Sequence, residues 1–159
     1  MNFQAWTLQD LEWQTPTILN SEQVVAIKIE HRSESNLLET EIKIYRDLES
    51  KKGFPEIIWF GIVDLKYPKE KKIKESNVLV MELLGSDIAS LMDKQGGKFS
   101  LKTVLMLAEQ FLERVEYIHK KNYIHQDLKP HNFLMGTGEK KAMVYLADFG
   151  LSKSCNPKM

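Results

Sequence analysis

The chain reads as an α+β fold, with strands, helices and one irregular polar loop. Three observations carry that expectation: the β-branched run VVAIKIE from Val24 to Glu30, a helical apolar stripe between Ser100 and Lys121, and the dense polar run HQDLKPHN from His125 to Asn132. With 159 residues the chain fits one domain with a modest core, and 43% hydrophobic with 28% charged residues argues against disorder. Twenty-two basic residues balance twenty-two acidic ones, so no global field draws the chain to nucleic acid or to an anionic membrane. Cys155 is the only cysteine, which excludes an internal disulfide and fits a reducing compartment. Asp10 and Glu12 stand where a secretory signal would be basic and then apolar, and no apolar run reaches membrane-spanning length. A cytoplasmic or nuclear location is therefore expected.

Residues 1–20 contain Trp6, Trp13 and Pro16 but no clean period of either kind. In VVAIKIE, alternation puts Val25, Ile27 and Ile29 on one face of a strand and Ala26 and Lys28 on the other. Lys28 either serves a ligand there or is a solvated lysine on an edge strand. From Ser35 to Leu48 the residues Leu37, Glu41, Ile44 and Leu48 recur at spacings of four, three and four, which sets Glu41 on the buried stripe of a helix. A buried carboxylate needs a partner, and Lys28 is the obvious one; Glu39 falls on the solvated face.

Gly53, Phe54 and Pro55 mark a turn, and Ile57–Val63 and Asn77–Glu82 read as two further strands. Between them LKYPKEKKIKES is expected to be a basic loop, either a solvated hairpin end or a docking surface. Ser100 is a plausible N-cap for the next helix, with Val104, Ala108, Phe111, Val115 and Ile118 as its apolar stripe and Lys120, Lys121 and Asn122 at its C-terminus. His119 has no second histidine or cysteine at metal spacing and reads as structural or exposed.

The polar run follows, with Pro130 preventing helix, and it reads as a rigid loop between elements. It gathers a carboxylate, an ammonium and an amide at Asp127, Lys129 and Asn132. Those are the groups phosphoryl transfer asks of a protein: a proton acceptor, a counter-charge and a magnesium ligand. TGEKK from Thr137 to Lys141 reads as a hairpin turn that returns Asp148, at the end of the strand MVYLA, to the side of Asn132. A second hard oxygen there suits magnesium, which takes one or two carboxylates and fills its shell with phosphate and water.

The two motifs HQDLKPHN and DFG, in this order, resemble the protein-kinase signatures HRDLxxxN and DFG. Lys129 resembles the serine/threonine-specific form of the loop, and VAIKIE, MELLG, FSLKTVL, EYIH, KPHNFLMG and DFGLSK together resemble the casein kinase I family from about Val25 to Lys153. The resemblance implies a partial protein-kinase-like fold: residues 21–85 as an incomplete N-lobe sheet with its C helix and hinge, and residues 86–159 as the start of a helical C-lobe through the catalytic loop and DFG, after a diverged or truncated segment 1–20. It implies ATP and Mg2+ as cofactors and a protein serine or threonine as substrate. Ala26 then leaves room for adenine, Lys28 contacts the α and β phosphates, and Glu41 holds Lys28. Met81 is the gatekeeper, and the backbone of Glu82 to Leu84 hydrogen-bonds the base before Gly85 ends the hinge. Asp127 accepts the substrate proton, Lys129 neutralises the transferring group, and Asn132 and Asp148 hold magnesium.

Against the family pattern, the first glycine is Gly53, so no glycine-rich loop precedes the lysine strand, and no activation segment, APE end or further C-lobe helices follow. The long helix is then expected to leave an apolar stripe bare, which is an aggregation hazard or a demand for a protein partner. Gln126 stands where such kinases carry arginine, arguing against control through a phosphate on the activation loop, and His131 stands where the family is acidic and reads as a surface substitution. Two alternatives accompany the enzyme: a kinase-like module that binds nucleotide or a partner without chemistry, and a fragment of a longer kinase. A small-molecule phosphotransferase is a poorer fit, because the KPxN form with Lys129 is that of a protein kinase.

Overall fold

A four-stranded antiparallel sheet in the order β1-β2-β4-β3 forms one side of the molecule. In the computed structural model, which describes residues 4–7, 24–32, 36–49, 51–67 and 72–155, these strands are β1 (Gln4–Thr7), β2 (Val24–His31), β3 (Ile57–Tyr67) and β4 (Lys72–Glu82). The β2 strand is paired on both sides, to β1 and to β4, so the edge-strand alternative for Lys28 falls. The register pairs Ala26 with Met81 and Lys28 with Leu79, and alternation does the rest. Val25, Ile27, Val78 and Val80 form a small apolar cluster on one face, while Ala26, Leu79 and Met81 join the main core on the other.

In the sheet the structure adds one element that the sequence did not show and corrects one reading. Segment 1–20 contains the strand β1, whose four residues are too few to display a period and whose hydrogen bonds come from β2. The stretch read as a basic loop is largely strand: β3 runs on to Tyr67 and β4 begins at Lys72, with Lys66 opposite Ile73 and Tyr67 opposite Lys72. A ladder is made by backbone groups, so a lysine-rich composition does not end it.

Helix α1 (Leu37–Asp47) lies against the core face of the sheet and buries Leu38, Glu41, Ile42, Ile44 and Tyr45. The Ser35 start expected for it lies outside the described residues. Its N-cap Asn36 makes no side-chain cap; instead the Glu30 carboxylate on β2 accepts the amides of Leu37 and Leu38 at 3.0 and 3.1 Å. An anion at a helix N-terminus is favoured by the dipole, so β2 both supplies Lys28 and anchors the helix that carries Glu41. After α1 the chain turns at Gly53, whose φ of +89° is open to glycine at little cost.

A short helix, α2 (Ile88–Lys94), was not legible in the sequence; at two turns it is too short to show a stripe, but Asp87 caps it by accepting from the Ser90 amide at 2.9 Å. Helix α3 (Leu101–Lys120) matches the expected one, with Ser100 accepting the Thr103 amide at 3.2 Å. Its stripe is buried only towards the C-terminus: Ile118 is inside, Ala108, Phe111 and Val115 are half-buried, and Val104 is exposed. Phe111 stacks on Phe133 with centroids 4.1 Å apart. The stripe expected to be left bare is therefore mostly covered, and the apolar side chains that stand in solvent are others, Leu101, Leu105, Met106 and Leu112. Among the described residues no helix is long and apolar enough to cross a membrane.

Beyond α3 come β5 (Tyr123–Ile124), the polar loop, β6 (Phe133–Met135), β7 (Val144–Leu146) and β8 (Lys153–Ser154). The loop includes one 3-10 turn, Pro130–Asn132, where proline at the first position gives up an amide that had no helical partner anyway. Strand β6 pairs antiparallel with β7, Phe133 opposite Leu146, through a turn centred on Gly138–Lys140.

Candidate active site

Three polar groups from distant parts of the chain meet in the core. The Lys28 ammonium lies 2.6 Å from Glu41 Oε2 and 2.8 Å from Asp148 Oδ1. Lys28 and Glu41 are 5% and 1% exposed, so neither reaches bulk water, and only Asp148 opens to the cleft. Burial by itself would push the Lys28 pKa down, but the two carboxylates outweigh it and hold the ammonium above its ordinary value. Burial pushes the Glu41 carboxyl up against the pull of Lys28. One ammonium against two carboxylates leaves the cluster short of positive charge on the side where Asp148 faces the cleft.

The loop after β5 is held by its own backbone. His125 is buried; its Nε2–H donates to the Ala147 carbonyl at 3.1 Å and its Nδ1 accepts the Asp127 amide at 3.3 Å. That pair of bonds requires the neutral ring, and burial accordingly pushes the His125 pKa down. Asp127 receives Lys129 Nζ at 2.6 Å and Asn132 Nδ2 at 3.0 Å on the same carboxylate oxygen. The bond from Lys129, with that from Asn132, keeps the Asp127 carboxyl below the usual range, so it is an ionised acceptor at neutral pH. Asn132 Nδ2 also donates to the Asp127 carbonyl at 2.8 Å, which fixes the amide so that its oxygen is the end available to a cation.

Between the sheet and the helical part lies a cleft of about 870 Å³. Ala26, Met81, Glu82, Leu84, Asn132, Asp148 and Lys129 all line it, so the residues expected around a nucleotide do converge on one space. Lys28 and Glu41 stand behind Asp148, and Asp127 is tied to Lys129 and Asn132 at the rim. The hinge is clasped from behind: the Glu82 carboxylate accepts the Glu56 amide at 2.9 Å and Lys140 at 3.2 Å, while the Gly85 amide donates to Met135 at 2.7 Å. His131 is exposed, as expected, and also borders the cleft.

Among the described residues no group of three or more His, Cys, Asp or Glu could hold a metal alone. Magnesium does not need one: the Asn132 amide oxygen and the Asp148 carboxylate, beside a cluster short of positive charge, fit an ion that completes its shell with phosphate and water.

Three features were missed from the sequence. The Lys28 to Asp148 contact spans 120 residues, beyond any local pattern. Arg114 is buried on α3, donating from Nε to the Val144 carbonyl at 3.1 Å; the available signal was its place three residues from Phe111 and four from Ile118 on the stripe. Tyr45 is buried beside Asp148, and its spacing of four from Glu41 was the clue. A family model described as protein kinase domain matches residues 17–159.

Proposed function

Since the chain belongs to the protein kinase domain family, and is to that extent a phosphoryl-transfer domain, we propose that it is a serine/threonine kinase of casein kinase I type acting on a protein hydroxyl. The observation that carries the proposal is the Lys28 ammonium bridging Glu41 and Asp148 at 2.6 and 2.8 Å at the back of the cleft.

In this reading the cleft walls at Ala26, Met81 and the backbone of Glu82 to Leu84 receive the adenine of ATP. Lys28, kept charged and oriented by Glu41, meets the α and β phosphates. Asn132 and Asp148 would hold magnesium, which when bound would neutralise phosphate charge. Asp127 accepts the proton of the substrate hydroxyl through its ionised carboxylate, and Lys129 balances charge on the moving group. The hydroxyl oxygen forms a bond to the γ phosphorus, the bond from that phosphorus to the β,γ-bridging oxygen breaks, and ADP leaves with the electron pair. The proton ends on Asp127. Lys129 rather than a residue matched to an aromatic hydroxyl supports serine and threonine as acceptors.

A second reading, a module that binds nucleotide or a protein partner without transfer, is favoured by the solvent-exposed Leu101, Leu105, Met106 and Leu112 on α3. One experiment separates them. The purified chain is given casein and labelled Mg-ATP beside Asp127→Asn and Lys28→Met, and the phosphorylated residue type is determined. Transfer to serine or threonine that both variants lose supports the enzyme. No transfer, with stabilisation by Mg-ATP, supports the binding module.

A further inference from the structure

Tyr45 stands one turn beyond Glu41 on α1, so the two side chains share a face. Its ring is 4% exposed and meets Phe149 edge-on, with centroids 5.1 Å apart. A phenylalanine would give the same packing. What the phenol adds is an oxygen that accepts the Asp148 backbone amide at 3.3 Å. A buried hydroxyl is costly unless it is used, and this bond uses its oxygen. Burial, with the Glu41 carboxylate adding to it, pushes the hydroxyl's pKa well above its ordinary value, so it stays protonated.

Asp148 itself sits at φ +68°, in the left-handed region, where a non-glycine residue is strained and persists only if its surroundings hold it. The residue is gripped at both ends, from β2 at its carboxylate and from α1 at its amide. Lys28, held by Glu41, takes the carboxylate at 2.8 Å, and Tyr45 takes the amide.

We propose that the Tyr45 hydroxyl is a positioning residue that fixes the backbone of Asp148 and so sets the direction in which its carboxylate meets a divalent cation, tying that site to the placement of α1. The inference rests on the reading of Asp148 as a magnesium ligand given under Proposed function. Tyr45 touches neither nucleotide nor metal; it acts through Asp148, as outer partners of metal ligands do.

The test uses the whole chain and Tyr45→Phe, which removes one oxygen. Melting is followed in two titrations: Mg2+ at fixed ATP, and ATP at saturating Mg2+. The expected result is a Mg2+ midpoint raised about tenfold, the lower end of outer-partner effects, with the ATP midpoint at saturating Mg2+ unchanged. Equal shifts of both midpoints would mean general loosening, and an unmoved Mg2+ midpoint would mean no positioning; either overturns the inference while leaving the kinase reading in place. A wild-type chain that responds to ATP in neither titration overturns both. If Tyr45→Phe does not fold, hydrogen exchange of the wild-type Asp148 amide decides: protection like that of the β7 amides supports the bond, and exchange at the rate of an open loop removes it.

Discussion

The two halves of the site are held by opposite means. Lys28, Glu41 and Asp148 come from a strand, a helix and a loop, the bonded pairs lying 13 and 120 positions apart, and are held by burial. Asp127, Lys129 and Asn132 lie within six residues of one another, are held by a local loop, and include a Lys129 that is 45% exposed. Charges withdrawn from water depend on each other for their existence, whereas partly solvated ones do not. Loss of a member of the first group therefore damages the fold as well as the chemistry. Loss of a charge from the second, at Asp127 or Lys129, should leave the fold in place.

The sharpest way to break that contrast is Asp127→Asn. It keeps an acceptor for Lys129 and Asn132 but removes the charge proposed to accept the proton, so on that proposal transfer should fall by roughly 10³-fold, within the range for a general base. The midpoint of urea unfolding should stay where it is. A large loss of stability would show that the loop group is as structural as the buried one.

Lys28→Met is the counterpart. It strands the Glu41 and Asp148 carboxylates without their ammonium, and removal of one partner of a buried pair costs about 3 kcal/mol. The loss should itself depend on pH. With Lys28 gone, burial raises the Glu41 pKa further above its unfolded value of 4.5. A raised carboxyl contributes its stability below that unfolded value and loses it as pH rises through the folded one. Urea unfolding of wild type and variant at pH 8 and pH 5 should show the smaller difference at pH 5; an equal or larger difference at pH 5 would mean that Glu41 is not the group stranded.

Gly53→Ala probes the floor beneath both groups. A Cβ there would lie 1.7 Å from Arg114 Nε, at a φ of +89°, and the Gly53 carbonyl accepts the Leu146 amide at 2.9 Å in the strand that leads to Asp148. Displacing the guanidinium breaks its bond to Val144 and adds left-handed strain, together about 2 kcal/mol. Thermal unfolding measures it, and a neutral result would show that Arg114 has another place to go.

How far the sequence reached follows the same division. The loop group lies in one short run, so its members could be named directly. The Lys28 and Glu41 pair could be inferred because two periods, two for the strand and 3.6 for the helix, each put one charge on a core face, and burial then demanded that they meet. No period reports on contacts between elements far apart in the chain, which is why the Asp148 bond to Lys28 and the Tyr45 bond to the Asp148 amide were out of reach. The cap on α1 shows the same limit from another side: Asn36 has the right chemistry for the position, but Glu30 on the neighbouring strand makes the bonds. Very short elements, β1 and α2, failed for want of residues in which a period could repeat.

His125 joins the two groups, since it holds the Asp127 amide on one side and the Ala147 carbonyl, next to Asp148, on the other. Its ring must be neutral to do both. Because its folded pKa is pushed below the ordinary 6.5 by burial, its contribution is fully present above 6.5 and is lost as pH falls below that value towards the folded pKa. One proton changes stability by at most about 1.4 kcal/mol per pH unit, so the effect is smaller than those of the substitutions above. Proton NMR of the imidazole rings checks the assignment directly. The His125 resonance should keep its neutral position through the ordinary imidazole range, moving only at lower pH as the chain loosens. A His125 signal that titrates at the ordinary 6.5 would mean that the ring can charge without giving up the Asp127 amide, and that the buried and the local group are not joined through it.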